Sequence, residues 1–138
     1  MTLTDDERKG KSFSMVIRIA SAVLTLAGLL ALIRGVLFWT ATALNLIALH
    51  MVLGFLAVGA LWVIGAAQAF APRGSWIIAP CALIVGAVMI VLGMMQSSLL
   101  PGDYHWIIQV IHLALGLLTI GLGHMAAARY RKASVGNS

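Results

Sequence analysis

The chain has 138 residues, of which 62% are apolar and only 9% charged, and its mean hydropathy is +1.04. No water-soluble domain hides that much apolar surface, so the sequence reads as one integral membrane unit with no soluble domain of useful size. Its net charge of +5 matches a cytoplasmic excess of Lys and Arg that meets anionic membrane lipids, and nucleic-acid binding is not needed to explain it.

A helix needs about 20 residues to span the hydrocarbon core, and four stretches meet that length: roughly 14–38, 43–70, 76–99 and 104–128. The expected fold is all-α, an integral membrane four-helix bundle built from two tandem helical hairpins. Residues 1–13 form a cytoplasmic N-terminal tail, 14–128 the bundle and 129–138 a cytoplasmic C-terminal tail, with the polar ends Met1–Ser12 and Ala133–Ser138 expected to be mobile.

Arg8, Lys9, Lys11 and Arg18 precede or open the first span. Arg73 lies between spans two and three, and Arg129, Arg131 and Lys132 follow the fourth, whereas the segments 40–42 and 96–103 carry no Lys or Arg. The positive-inside rule then places both termini in the cytoplasm of a multi-pass protein, read here as one of the bacterial inner membrane. Trp39, Trp76, Tyr104, Trp106 and Tyr130 fall near span ends, as an interfacial aromatic belt requires. Ala41-Thr42-Ala43 resembles a signal-peptidase site, but the apolar run before it is too long for a signal peptide, so span one is read as retained. Cys81 is the single cysteine, and beside Pro80 it reads as a packed apolar thiol.

Spans two and four share a motif. His50-Met51-Val52-Leu53-Gly54-Phe55-Leu56 and His112-Leu113-Ala114-Leu115-Gly116-Leu117-Leu118 both read H-x-x-L-G-x-L, and the match continues to Gly59 and Gly121. Spans one and three share a fainter pattern, Gly28 with Gly35 and Gly86 with Gly93, which puts each pair on one helix face open to a helix or a flat cofactor. His50 lies eight residues after Thr42 and His112 eight after Tyr104, on helices running inward from the outside. At about 1.5 Å per residue both sit some 12 Å below the outer interface. Spans two and four are diagonal in an up-down bundle, so the two imidazoles face one another across its core.

An ionisable side chain at membrane depth is costly, which makes it a functional candidate. A single intramembrane histidine is explained by hydrogen bonding or packing alone. The matched pair points further, to axial ligation of one iron porphyrin. Small residues beside each histidine, Gly54 with Ala57 and Gly116 with Thr119, leave room for the ring. Arg34 interrupts span one in the outer half of the membrane, and two readings stand: a contact to outward-pointing haem propionates, or snorkelling to the headgroups. His105 shares a face with His112 at the outer interface, where solvation or a propionate contact would suit it. His124 has Trp62 as its counterpart, so there is no second in-chain pair, and pairing across an oligomer or lining a quinone or proton pocket remain for it.

Met51, Met94, Met95 and Met125 raise copper(I) as a competing metal, but Met51 is rotated about 100° from His50 and no M-x-x-M or His/Met cluster exists. There is no Walker loop, H-E-x-x-H, C-x-x-C or C-x-x-C-H, so any haem is held non-covalently. No carboxylate lies within a span, which removes the usual residues of proton pumping or cation transport.

The repeated histidine–glycine motif resembles four-helix membrane b-type cytochromes, and each half of haem A synthase looks similar, with histidine motifs on its second and fourth helices. The resemblance covers roughly residues 14–128 and implies His50 and His112 as axial ligands of haem b, with Gly54 and Gly116 beside the ring. The chain lacks the second matched pair of diheme members, and the second half and the acid of haem A synthase, so that enzyme's reaction is not implied. The expected function is one-electron transfer through a single haem b near the periplasmic side, linked to quinol or a redox partner, with quinone as a further candidate cofactor. The chain would act as a homo-oligomer or as a subunit of a larger membrane redox complex. The alternatives are a non-catalytic accessory subunit or assembly factor, or a copper-handling membrane protein.

Overall fold

A computed structural model of the chain describes residues 5–40, 44–72 and 74–135. Arg73, the Ala41-Thr42-Ala43 stretch and the outermost ends of both tails lie outside the described residues. Among the described residues the backbone forms four α-helices: α1 Asp5–Trp39, α2 Ile47–Phe70, α3 Ile78–Met95 and α4 His105–Val135. Short 3-10 turns at Leu44–Leu46 and Gln96–Ser98 complete them. All four helices are long and apolar enough to cross a membrane. The chain is an all-α integral membrane bundle made of two tandem hairpins, α1–α2 and α3–α4.

Local chemistry sets the helix ends. At the end of α1 the Thr40 hydroxyl and amide both donate to the Leu37 carbonyl, at 2.8 and 3.2 Å. Helix α2 stops before Pro72, because the residue preceding a proline is driven out of the helical region; Ala71 is extended, with φ −72° and ψ 142°. Pro80 is the third residue of α3, in the first turn, where its missing N–H breaks no helical bond. The turn into α4 uses left-handed backbone at Leu100 (φ 45°) and Gly102 (φ 89°). Glycine adopts that conformation without strain, whereas at Leu100 it costs on the order of 1–3 kcal/mol.

Two helices outrun the bilayer. At about 1.5 Å per residue α1 is roughly 50 Å long and α4 roughly 45 Å, against a hydrocarbon core of about 30 Å. The stretches expected as tails are helical where described: 5–13 continues α1 and 129–135 continues α4. No proline interrupts either stretch, and the two ends brace one another. Tyr130 is buried in a cluster with Ile17, Ala67, Ala71 and Ala127, with Phe13 packed against it, and its hydroxyl donates to the Gly10 carbonyl at 3.3 Å. Tyr130 is thus a packing residue, unlike Trp39, Trp76, Tyr104 and Trp106, which are exposed as belt aromatics should be. Cys81 also departs from expectation, facing outward from α3 instead of packing inside.

In cross-section α1 touches α2 and α4, α3 touches α2 and α4, and α2 meets α4 across the middle. The core is narrow and rich in alanine: Ala20, Leu24 and Ala27 of α1 pack with Ala57, Ala60 and Ile64 of α2, Ile78 of α3 and Ala126 of α4. Small side chains let membrane helices approach closely, where van der Waals packing takes the place of a hydrophobic driving force. Many other large aliphatics point the other way, with Leu26 66% and Ile84 62% exposed, as residues solvated by lipid tails should be.

The tandem hairpins repeat their contacts as well as their sequence. A Cβ on Gly28 would stand 2.8 Å from Ile120, and one on Gly86 would stand 2.7 Å from Val58. Gly28 and Gly86 are equivalent in α1 and α3, and Val58 and Ile120 are equivalent in α2 and α4. Each glycine therefore receives the same position of the other hairpin.

Candidate functional site

The close glycine contacts draw the helices together on the side of the two histidines nearer the ends of the chain. Toward the opposite end the helices leave a cavity of about 470 Å³ that residues of all four helices line. That volume lies in the roughly 300–1,000 Å³ range of small-molecule and cofactor sites. His50 and His112 both line it, with ring centroids 6.1 Å apart and planes tilted by 48°. The rings come level although α2 begins only at Ile47, because the 3-10 turn at Leu44–Leu46 feeds directly into it.

Each histidine is seated on a glycine of its own hairpin. A Cβ on Gly35 of α1 would stand 3.7 Å from His50 Cε1, and one on Gly93 of α3 would stand 3.1 Å from His112 Cε1. These are the second members of the two seven-residue glycine pairs, so the faint repeat in spans one and three has a specific role. Phe38 steadies His50 further, edge-on at 5.3 Å between centroids. Among the described residues neither His50 Nδ1 nor His112 Nδ1, both buried, has a hydrogen-bond partner. A buried polar atom without a partner costs roughly 1–3 kcal/mol, so the two Nδ1 atoms are a cost that the packing of this cavity carries.

The neighbouring glycines behave as room-makers. A Cβ on Gly54 would meet nothing within 4 Å, and one on Gly116 would meet only the Met89 Cε at 3.6 Å. Both line the cavity, as do Ala57 and Thr119 one turn further in. Arg34 is half-buried and does not line the cavity. On a helical projection it lies about 40° beyond Phe38, at the flank of the cavity-facing stripe.

The structure adds three features to the sequence reading. The first is a polar mouth at the α4 N-terminal end: Trp39, Gln96, Ser97, His105 and Gln109 line the cavity there. The spacing held a clue, because Gln109 and His105 precede His112 by three and seven residues on one face of α4. The second is methionine. Met51, Met89 and Met94 all line the cavity, so the rotation of Met51 away from His50 does not remove it from the site. The third is the role of His124, whose Nε2–H donates to the Thr25 hydroxyl at 3.1 Å while that hydroxyl donates to the Ser21 carbonyl at 2.7 Å. Its repeat counterpart Trp62 donates to the Ala82 carbonyl at 3.1 Å, so both positions tether α2 or α4 to a neighbouring helix.

Among the described residues no cluster of three or more His, Cys, Asp or Glu could hold a bare metal ion. The two imidazoles face one another across a cavity whose inner wall is apolar. The chain matches no protein-family model, no curated protein and no solved structure.

Proposed function

We propose that the chain is a membrane b-type cytochrome that holds one haem b between His50 and His112. The observation that carries this reading is the pair of imidazoles 6.1 Å apart, each with a buried nitrogen lacking a partner. Two histidines bound to one metal, each through a nitrogen about 2 Å away, have centroids about 6 Å apart. When bound, haem b supplies reversible one-electron chemistry without a protein radical.

The chain's own residues do the rest. His50 and His112 would hold the haem iron, and Gly54 and Gly116 leave space beside them. Gly35 and Gly93 set the tilt of the two rings. The apolar walls exclude water from the metal, and the Arg34 charge acts from the flank. With the termini in the cytoplasm of a bacterial inner membrane, the site lies near the periplasmic face, where quinol or a redox partner would exchange electrons with it. With most of the described residues in the four spans, the chain would work as an oligomer or as a subunit of a redox complex.

Absorption spectra of protein purified in detergent after expression with ample haem, before and after dithionite, test the reading. A Soret band that shifts on reduction is expected, and it should be lost in His50→Ala and His112→Ala protein that still melts cooperatively. Folded wild-type protein without Soret absorbance would overturn it. The thioethers of Met51, Met89 and Met94 on the same cavity support a second reading, copper(I) held by imidazole and thioether. Metal analysis of the same samples separates the two.

A further inference from the structure

We infer that the polar mouth of the cavity is a carboxylate-binding rim, in which His105 and Gln109 hold the acidic side chains of the ring bound between His50 and His112. The inference rests on the haem reading and adds to it the direction in which the ring is inserted and the residues that fix it.

The cavity is chemically two-ended. Its inner wall is Gly28, Ala57, Val58 and Ile120, with Thr119 as the polar exception, and the Thr119 hydroxyl is occupied by the Leu115 carbonyl at 2.8 Å. Nothing there would receive a carboxylate. Its outer end concentrates side-chain donors, and none of the residues lining the cavity is an acid that would repel an anion.

Two of those donors are held in place. His105 Nδ1 lies 3.2 Å from the Leu99 carbonyl, an acceptor only, so Nδ1–H donates, and it is as the imidazolium that the ring offers its remaining Nε2–H to a carboxylate. The turn that brings Leu99 there runs through the left-handed Leu100, the one non-glycine residue with positive φ among those described. Backbone strain is thus maintained at the turn that orients this imidazole. Gln109 is oriented from the other side: its Oε1 accepts the Trp39 indole N–H, which leaves the amide N–H groups as donors.

The spacing suits one elongated ligand. The His50–His112 line crosses from α2 to α4, so a flat ring set between them stands along the bundle with one edge toward the mouth. Gln109 and His105 lie roughly 5 and 10 Å above His112 along α4, a span comparable to that from a porphyrin's centre to its propionates. Arg34 does not line the cavity, so the rim passes from the arginine to the α4 pair.

Iron protoporphyrin IX and its dimethyl ester, which has the same ring and no charge on its propionates, are the probes. Each is titrated into apo protein in detergent and followed at the Soret band. Wild-type protein should bind the diacid about tenfold or more tighter than the ester, the order expected for one or two charge-assisted hydrogen bonds. His105→Leu and Gln109→Leu should each reduce that preference severalfold while leaving ester affinity unchanged, and the retained ester binding shows that the variant is folded. If His105→Leu loses both ligands, Gln109→Leu decides. A preference that survives both variants, or falls only in Arg34→Gln, overturns the rim while leaving the haem site standing. A wild type that binds the ester as tightly as the diacid does the same. A wild type that binds neither porphyrin overturns both.

Discussion

A Cβ added to Gly93 would stand 3.1 Å from His112 Cε1, while the equivalent Cβ on Gly35 would stand 3.7 Å from His50 Cε1. The first contact is tighter than side chains tolerate without a shift, and the second is ordinary van der Waals contact. Gly93→Ala should therefore tilt the His112 ring and lower haem occupancy severalfold, while Gly35→Ala leaves occupancy near the wild-type level. Haem content and melting temperature measured on the same preparations check this. Equal loss in both variants would mean that the glycines serve helix packing and not ligand orientation.

Gly54 and Gly116 carry the opposite expectation, because they border space instead of a ring. Replacing a helical glycine removes a penalty of about 1 kcal/mol, and a leucine entering the cavity meets little resistance at Gly54. Gly54→Leu should leave the apo bundle as stable as the wild type or more so, yet abolish haem binding. Gly116→Leu, which must displace the Met89 methyl, should bind as poorly and gain less stability. Thermal melts of apo protein with Soret titrations of the same samples decide. Haem binding retained in Gly54→Leu would show that the ring does not occupy this side.

His124 tests whether a histidine on the same helix is only a tether. Its bond to Thr25 is exposed on the bundle surface, and such interhelical bonds in membranes average about 0.6 kcal/mol in double-mutant cycles. The cycle Thr25→Val with His124→Leu should return a coupling of about that size, with the haem spectrum of every variant unchanged. A lost or shifted Soret band in His124→Leu would give this residue a role at the cofactor.

What the sequence disclosed follows from what a bilayer penalises. Span number, the hairpin repeat and the diagonal pairing of α2 with α4 were legible because apolar run length and histidine depth are both direct consequences of lipid as solvent. The helical continuation of 5–13 and 129–135 was not, since hydropathy falls at the headgroups whereas hydrogen bonding along the helix does not. Tyr130 likewise reads as an interfacial aromatic until the two helix ends are brought together around it. The seats of the histidines escaped for a different reason. Glycines seven apart say that something comes close, and only the packing of Gly35 on His50 and Gly93 on His112 says what. The mouth was only partly legible: His105 shares a face with His112 in the sequence, but Gln96, Ser97 and Gln109 join it only when the ends of α3 and α4 fold beside Trp39.

Arg34 is half-buried near the end of α1, beside the cavity-lining Gly35. Reduction of a haem lowers its charge by one unit, so a fixed cation nearby favours the reduced form and raises the midpoint potential. At an effective dielectric near 20 and a separation on the order of 10 Å, the interaction is about 2 kcal/mol. For a one-electron couple at 59 mV per tenfold, that corresponds to several tens of millivolts. Arg34→Gln should lower the midpoint potential by about that amount with little loss of haem affinity, since the residue does not line the cavity. Arg34→Lys should retain most of the potential, because the charge survives and only the planar fork is lost. Redox titration of the three proteins at equal haem loading is the measurement. An unchanged potential in Arg34→Gln would make the side chain a snorkelling anchor, its charge already neutralised by lipid headgroups.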